Sequence, residues 1–297
     1  MEYAKLGKSD LQVSQIGFGC MSLRGEEKQN QSLIAKALEL GINYFDTADV
    51  YEDGENETKI GKLLKSSRNK IVLASKVGNQ KHDDGSTTWN ASKAYIIKSI
   101  DTSLQRLQTD YLDLYQLHGG MIEDQIDETI EAFELLKQQG KIRYYGISSI
   151  RPNVIREYVA KSNIVSVMMQ YSLLDRRPEE TCFDLLEKHQ ISVVARGGVA
   201  QGLLVDKPAK AYLGYDEKEV LKAASAIHQV SEENRSEAQS AIRFALAPAV
   251  VASAVVGIRT ETQLVDAANA VESPKITENE LQILRNAIAP KTYDQHR

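Results

Sequence analysis

Short apolar runs recur along the chain, and each gives way to a longer segment whose apolar positions return every three to four residues. The runs at 16–18, 42–45, 71–75, 111–117, 142–147, 165–169, 191–195 and 252–256 read as strands. The segments at 29–40, 57–65, 92–107, 123–139, 153–161, 179–189, 235–245 and 261–271 read as the helices that follow them. Gly41, Gly140 and Gly257 mark exits from helix or strand. Two β-type runs at 3–6 and 11–14, parted by Gly7-Lys8-Ser9-Asp10, predict a hairpin ahead of the alternation. Eight strand–helix units joined by short connections predict an α/β chain folded as a closed (β/α)8 TIM barrel, rather than an open doubly wound sheet. The expectation is a single domain over 1–297, with 1–15 as a hairpin that plugs the bottom and 272–297 as a C-terminal helix and tail. Two connections exceed the minimum, 77–91 and 203–234, the second with a helical stretch at 217–229. Long excursions at the reactive end of a barrel usually shape access to it.

At 297 residues, 42% hydrophobic and 26% charged, the composition allows one large core and does not indicate disorder. The formal net charge of -5, with no basic cluster beyond pairs such as Arg176-Arg177, argues against nucleic-acid and membrane-surface partners. The first residues lack the apolar core of a signal peptide, and the apolar stretch 245–258 is interrupted by Pro248. A cytoplasmic protein is the expectation. Cys20 and Cys182 lie far apart and form neither a metal-ligand spacing nor a disulfide framework, so no metal site is expected.

The polar residues at strand ends carry the chemistry. Asp46 ends the second strand, Lys76 the third and His118 the fourth, while Tyr51 lies on the loop just beyond Asp46. Neighbouring strands deliver all of them to one spot. Taken singly, each has an ordinary structural role: a loop cap, an aromatic lid, a solvated strand end, a hydrogen-bonded core histidine. Taken together they form a proton-transfer set. An ammonium at Lys76 favours the phenolate of Tyr51 and lowers its pKa, Asp46 holds the ammonium charged and in place, and His118 can donate to a substrate carbonyl oxygen. Tyr51 would then protonate that oxygen. No redox cysteine pair or metal site is present in the pattern, so a carrier such as a nicotinamide cofactor is needed as electron source.

At these residues the chain resembles the aldo-keto reductase superfamily. The resemblance is carried by Leu6-Gly7 with Val13-Ser14 before Gly17-Phe18-Gly19, by Phe45-Asp46-Thr47-Ala48 to Tyr51 and Gly54, and by Ser75-Lys76. It continues through Asp110-Tyr111-Leu112-Asp113-Leu114 up to His118 and through the run from Gly140 to Ser148. It implies a (β/α)8 barrel, NADPH as hydride donor, a small-molecule carbonyl substrate, and Asp46, Tyr51, Lys76 and His118 as the catalytic tetrad. The same superfamily contains non-catalytic barrel subunits that bind channels and sense nucleotide, which is the alternative reading.

The resemblance also implies a cofactor set of Gly19, Cys20, Met21, Ser148, Gln170, Arg196, Gly202, Gly257, Arg259, Gln263 and Asp266. Members commonly grip the nicotinamide carboxamide with Ser-Asn after strand five and Gln in strand six, where this chain has Ser148-Ser149 and Met168. Gln170, on the same strand face, is the expected replacement. Arg196 stands where the family stacks a ring, and a guanidinium can stack on a planar face. After strand eight, Arg259 opens a helix suited to an anion, with Asp266 where a Glu is usual and Ala267 where an Asn is usual. Substrate would be lined by Met21, the 77–91 loop with Trp89, the region after His118 and the strand-seven loop. Trp89 either anchors its loop or touches substrate, and Gly119-Gly120 point to open room beside His118.

Overall fold

The computed structural model describes residues 1–82, 84–231 and 234–297. The two long excursions expected at 77–91 and 203–234 include Asp83, Glu232 and Glu233, which lie outside the described residues. The chain opens with an antiparallel pair, β1 (Tyr3–Lys5) and β2 (Gln12–Ser14), in the register Tyr3↔Ser14. β3 (Ile16–Gly19), α1 (Glu27–Glu39), β4 (Tyr44–Asp46), α2 (Glu55–Leu64) and β5 (Val72–Val77) follow. A second hairpin, β6 (Asn79–Lys81) with β7 (Thr87–Trp89), leads into α3 (Lys93–Leu107). The alternation continues through β8 (Leu112–Leu117), α4 (Ile126–Gln138), β9 (Ile142–Ser148), α5 (Pro152–Lys161), β10 (Ser166–Gln170), α6 (Cys182–Lys188) and β11 (Ser192–Arg196). It ends with α7 (Glu217–Val230), α8 (Glu237–Leu246), β12 (Val251–Gly257), α9 (Glu261–Asn269) and α10 (Glu278–Ala287).

Eight strands close in the order β10-β11-β12-β3-β4-β5-β8-β9, all parallel. The expected barrel is therefore present. Strand side chains alternate between the barrel lumen and the helical ring, which gives two cores. Outside, Phe18, Phe45, Leu73, Tyr115, Ile147 and Val193 belong to the large core that the helices cover. Inside, Tyr44, Val72, Ala74, Leu114, Met168 and Val194 form the second, and Leu6, Leu11 and Val13 join it from the hairpin. The hairpin is thus the bottom plug, and each such buried aliphatic side chain contributes about 1.5–3 kcal/mol. Asp113 fastens this end, accepting from Arg68 Nη1 (2.7 Å), Arg143 Nη1 (2.9 Å) and the Leu73 N–H (3.0 Å).

Some boundaries differ from the sequence expectation, with local causes. α8 starts at Glu237 rather than 235, because Ser236 accepts from the Gln239 N–H in a capping box. α4 starts at Ile126 rather than 123, because Asp124 Oδ2 accepts from the Met121 N–H and closes a turn first. α6 is shortened by the 3-10 turn Arg177–Glu180 that carries Pro178. Within the 77–91 excursion, Trp89 anchors its loop, the first of the two readings offered for it. Its indole packs where a Cβ on Gly78 or Gly119 would come within 2.7 Å or 3.2 Å of the ring, and its N–H donates to Asp124 at 2.8 Å. The room expected at Gly119 is occupied by this ring, which anchors the loop.

Candidate active site

Period-two alternation turns Tyr44 and Asp46 of β4, Ala74 and Lys76 of β5, and Leu114 and Gln116 of β8 into the lumen. The register Asp46↔Ala74 and Lys76↔Gln116 then stacks Asp46, Lys76 and Gln116 near one level at the carboxyl end of the barrel. Lys76 Nζ donates to Asp46 Oδ1 at 2.5 Å and to the Thr47 carbonyl at 2.7 Å. It also lies 5.2 Å from the centre of the Tyr51 ring. Tyr51 meets His118 edge-on, with centroids 5.9 Å apart and planes at 81°. The residues expected to meet do meet. Tyr51 is delivered by a short 3-10 turn, Tyr51–Gly54, in which Glu52 and Asp53 hold left-handed φ angles of 49° and 59°.

Lys76 is fully buried, as is nearly all of Asp46, so each charge depends on the other. Burial pulls the ammonium down, but Asp46 and Tyr51 beside it more than compensate, and its pKa is raised. Burial raises the Asp46 carboxyl, opposed by Lys76 and by Gln116. For Tyr51 the sequence expectation needs correction. Lys76 does act to lower its pKa, but burial acts more strongly upward, with Asp46 adding to it, so the phenol is held above its ordinary value. Tyr51 is therefore a protonated phenol at neutral pH. Burial, then the charges of Lys76 and Arg196, push His118 down to about 3. A neutral imidazole is left, with Nδ1 unpartnered among the described residues.

The other residues expected to hold a cofactor fall into three groups. Gly19 and Gly257 are register partners on β3 and β12, and a Cβ on Gly257 would meet Ser22 Oγ at 2.5 Å. Cys20 is buried just beyond Gly19, its thiol pushed up by burial, while Met21 is exposed. At the far rim, Arg259 lines a cleft of about 190 Å³ with Ser22, Arg24, Gly25 and Gln29. Gln263 Oε1 accepts from the Arg259 N–H at 3.0 Å. At the mouth, Arg196 Nη1 donates to Gln170 Oε1 at 2.7 Å, and Gln170 Nε2 donates to Tyr212 at 3.0 Å. Ser148 is the register partner of Met168, whose side chain lies in the inner core. Ser149 Oγ accepts from the Arg151 N–H at 3.2 Å. Gly202, with φ +92°, ends the turn Ala200–Gly202. Asp266 accepts from Ser236 Oγ (2.9 Å) and Gln239 Nε2 (2.7 Å) at the start of α8.

Two lumen-side or loop groups were missed in the sequence. Gln116 Nε2 donates to Asp46 Oδ2 at 3.2 Å, and Asp49, whose N–H donates to the Lys76 carbonyl at 3.3 Å, has Oδ1 buried without a partner among the described residues. Burial, with Glu57 adding to it, pushes the Asp49 carboxyl up to about 8. Its unfolded value is near 3.8, so between pH 4 and 8 the folded chain holds a proton that the unfolded chain has released. Stability at this site therefore falls as pH rises through that window. Asp49→Asn should stabilise the protein by about 1–3 kcal/mol at pH 9 and little at pH 4, as a half-buried carboxylate with one oxygen unpartnered among the described residues is removed. Urea unfolding at both pH values checks this; no gain at pH 9 would show the carboxyl to be satisfied.

A plugged parallel barrel with a tyrosine, a buried lysine–aspartate pair and a histidine at its carboxyl end defines a barrel oxidoreductase. The model of the Aldo/keto reductase family matches residues 15–289, and the chain belongs to that family. It is 51% identical over 308 residues to "Uncharacterized oxidoreductase YqkF" of Bacillus subtilis, covering 100% of each chain. Among solved structures it resembles the holo form of aldo-keto reductase AKR11C1 from Bacillus halodurans. That match has a TM-score of 0.93 at 50% identity, over 100% of this chain and 99% of that one. "Aldo-keto reductase yakc [NADP(+)]" of Schizosaccharomyces pombe is 34% identical over 203 residues, 65% of this chain and 60% of its own. Among the described residues, no helix is long and apolar enough to cross a membrane.

Proposed function

We propose that the protein reduces a small aldehyde or ketone to the alcohol with NADPH, Tyr51 serving as general acid. The observation that carries this is the buried Lys76–Asp46 pair set beneath Tyr51 with a neutral His118 facing the same ring. A surface lysine or a core histidine has no need of that arrangement. Tyr51 stays protonated at neutral pH, as a donor must, and Lys76 stabilises the phenolate left after donation. Because His118 is neutral, it orients and polarises a carbonyl oxygen by hydrogen bonding without competing as an acid.

The chain also fits a dinucleotide. Arg196 presents a planar cation at the mouth, and Arg24 and Arg259 line a cleft at the rim. Arg196, Gln170 and Ser148 would hold the nicotinamide end, and Arg259 the phosphate of the adenosine end. When bound, NADPH supplies the two electrons and one hydrogen that go to the carbonyl carbon. The name of the fission-yeast relative, which carries NADP(+), favours the same nucleotide.

The test is carbonyl-dependent loss of NADPH absorbance with a panel of aldehydes and ketones. Turnover with some members and none without carbonyl is expected. Tight NADPH binding with no turnover on any member would replace this reading with that of a nucleotide-sensing barrel.

A further inference from the structure

We infer that Gln116 is a positioning residue for proton transfer, holding the outer oxygen of Asp46 so that Lys76 stays aimed at Tyr51. The inference rests on the reading of Tyr51 as proton donor. Its ground is the hydrogen-bond inventory of three buried groups. An ammonium has three N–H donors and no acceptor. Lys76 directs one to Asp46 Oδ1 and one to the Thr47 carbonyl, which leaves the third for the Tyr51 hydroxyl. A lysine side chain is flexible, so this aim is only as firm as the groups that fix it. The Thr47 carbonyl belongs to the backbone beside β4, whereas the Asp46 carboxylate can turn about its own side-chain bonds.

Gln116 removes that freedom. It is fully buried, it is the register partner of Lys76 on the adjacent strand, and its Nε2 reaches Asp46 Oδ2 at 3.2 Å. The carboxylate is then held at both oxygens, by an ammonium on one side and an amide on the other. An ionised carboxylate only accepts, so the amide must face it with its nitrogen, which leaves Gln116 Oε1 buried and unpartnered among the described residues. A buried glutamine with one amide atom unpartnered is a poor choice for packing alone. It is a sound one for keeping a buried carboxylate ionised and still.

The consequence of removing the amide follows from the same inventory. Oδ2 of Asp46 would be left buried without a donor, and a carboxylate in that state favours its neutral form. The Asp46–Lys76 pair would loosen, and Tyr51 would lose part of the positive field that holds its phenolate down. The charged and titratable groups bearing on this point are Tyr44 and Asp46 of β4, Tyr51, Cys20, Lys76 of β5, His118 after β8 and Arg196 of β11. His118, low at about 3, and Cys20 and Tyr44, both raised, stay neutral through the mid-pH range. Asp49, beside Lys76 and pushed up to about 8, titrates within it, so the pH profiles are compared with Asp49→Asn present in both wild type and variant.

The test uses Gln116→Met, which keeps volume without a donor, and Gln116→Glu, which can donate only while protonated. For Gln116→Met, kcat should fall about tenfold, with NADPH dissociation constant and carbonyl KM near wild type and a thermal midpoint lowered by the unpaired carboxylate oxygen. The rising limb of alcohol oxidation, which reports the Tyr51 phenolate, should move to higher pH. Gln116→Glu should approach wild-type kcat at low pH, where its carboxylic acid replaces the amide. It should lose activity as pH rises and two carboxylates face each other. A wild-type kcat and pH profile in Gln116→Met would overturn the inference, as would a Gln116→Glu profile parallel to wild type. Should wild-type protein turn over no carbonyl while binding NADPH, the proposed reaction fails and not the placement of Gln116. The thermal midpoints, lowered in Gln116→Met and falling with rising pH in Gln116→Glu as two carboxylates come to face each other, need no turnover and test the contact to Asp46 by themselves.

Discussion

Tyr51→Phe is expected to lower carbonyl reduction by about 10²–10⁴-fold while leaving NADPH affinity within a few-fold of wild type. The substitution removes one hydroxyl and keeps the ring that faces His118 edge-on at 5.9 Å. Packing should therefore survive. What is lost is the phenol that the structure sets against the buried ammonium of Lys76. Neither neighbour can take over the donation. His118 is already neutral at neutral pH, and the Lys76 ammonium, its pKa raised by Asp46, gives up its proton poorly. Turnover with an active carbonyl, read beside nucleotide affinity by fluorescence titration, decides the matter. If the variant turns over as fast as wild type, the proton comes from elsewhere and the proposed role of Tyr51 is lost.

Why this group could be seen in sequence, and Gln116 could not, is a matter of range. Asp46, Lys76 and His118 each stand where an apolar run stops, so the strand pattern itself places them at one end of adjacent strands. Gln116 sits inside such a run, where a lone polar residue looks like an interruption. Its meaning lies in a contact to Asp46 that only barrel closure creates. The hairpin of β6 and β7 was hidden for another reason: Asn79-Gln80-Lys81 and Thr87-Thr88 are polar on both faces, so no apolar alternation marks them. The sign of the Tyr51 shift was hidden too. Sequence names the charged neighbours, but how much water a barrel excludes is a property of packing, and here burial outweighs Lys76. Asp266 makes contacts that local reasoning did not foresee. It lies on the helix that Arg259 precedes, yet its carboxylate serves the capping serine of α8.

Arg259→Ala should weaken NADPH binding at least tenfold and leave NADH binding little changed. Arg259 directly precedes α9, whose N-cap Thr260 accepts from the Gln263 N–H at 3.2 Å. Backbone N–H groups and the helix dipole at such a place already favour an anion. The Arg259 backbone is held on both sides, its N–H by Gln263 at 3.0 Å and its carbonyl by Gln29 at 3.5 Å. The side chain, by contrast, is exposed, and no ion pair to Glu261 or any other acid is present among the described residues. It lines the same cleft as Arg24, so the cleft is cationic. A guanidinium can make two parallel hydrogen bonds to a phosphate, and bonds to charged groups contribute about 1.5–3 kcal/mol each. Even one such bond, at about 1.4 kcal/mol per decade, amounts to roughly ten- to a hundredfold in affinity. NADH lacks the ribose phosphate and has nothing for that bond to grip. Dissociation constants for both nucleotides, measured on wild type and variant, carry the decision. Equal losses for the two would assign Arg259 to the shape of the loop and remove its role in phosphate recognition.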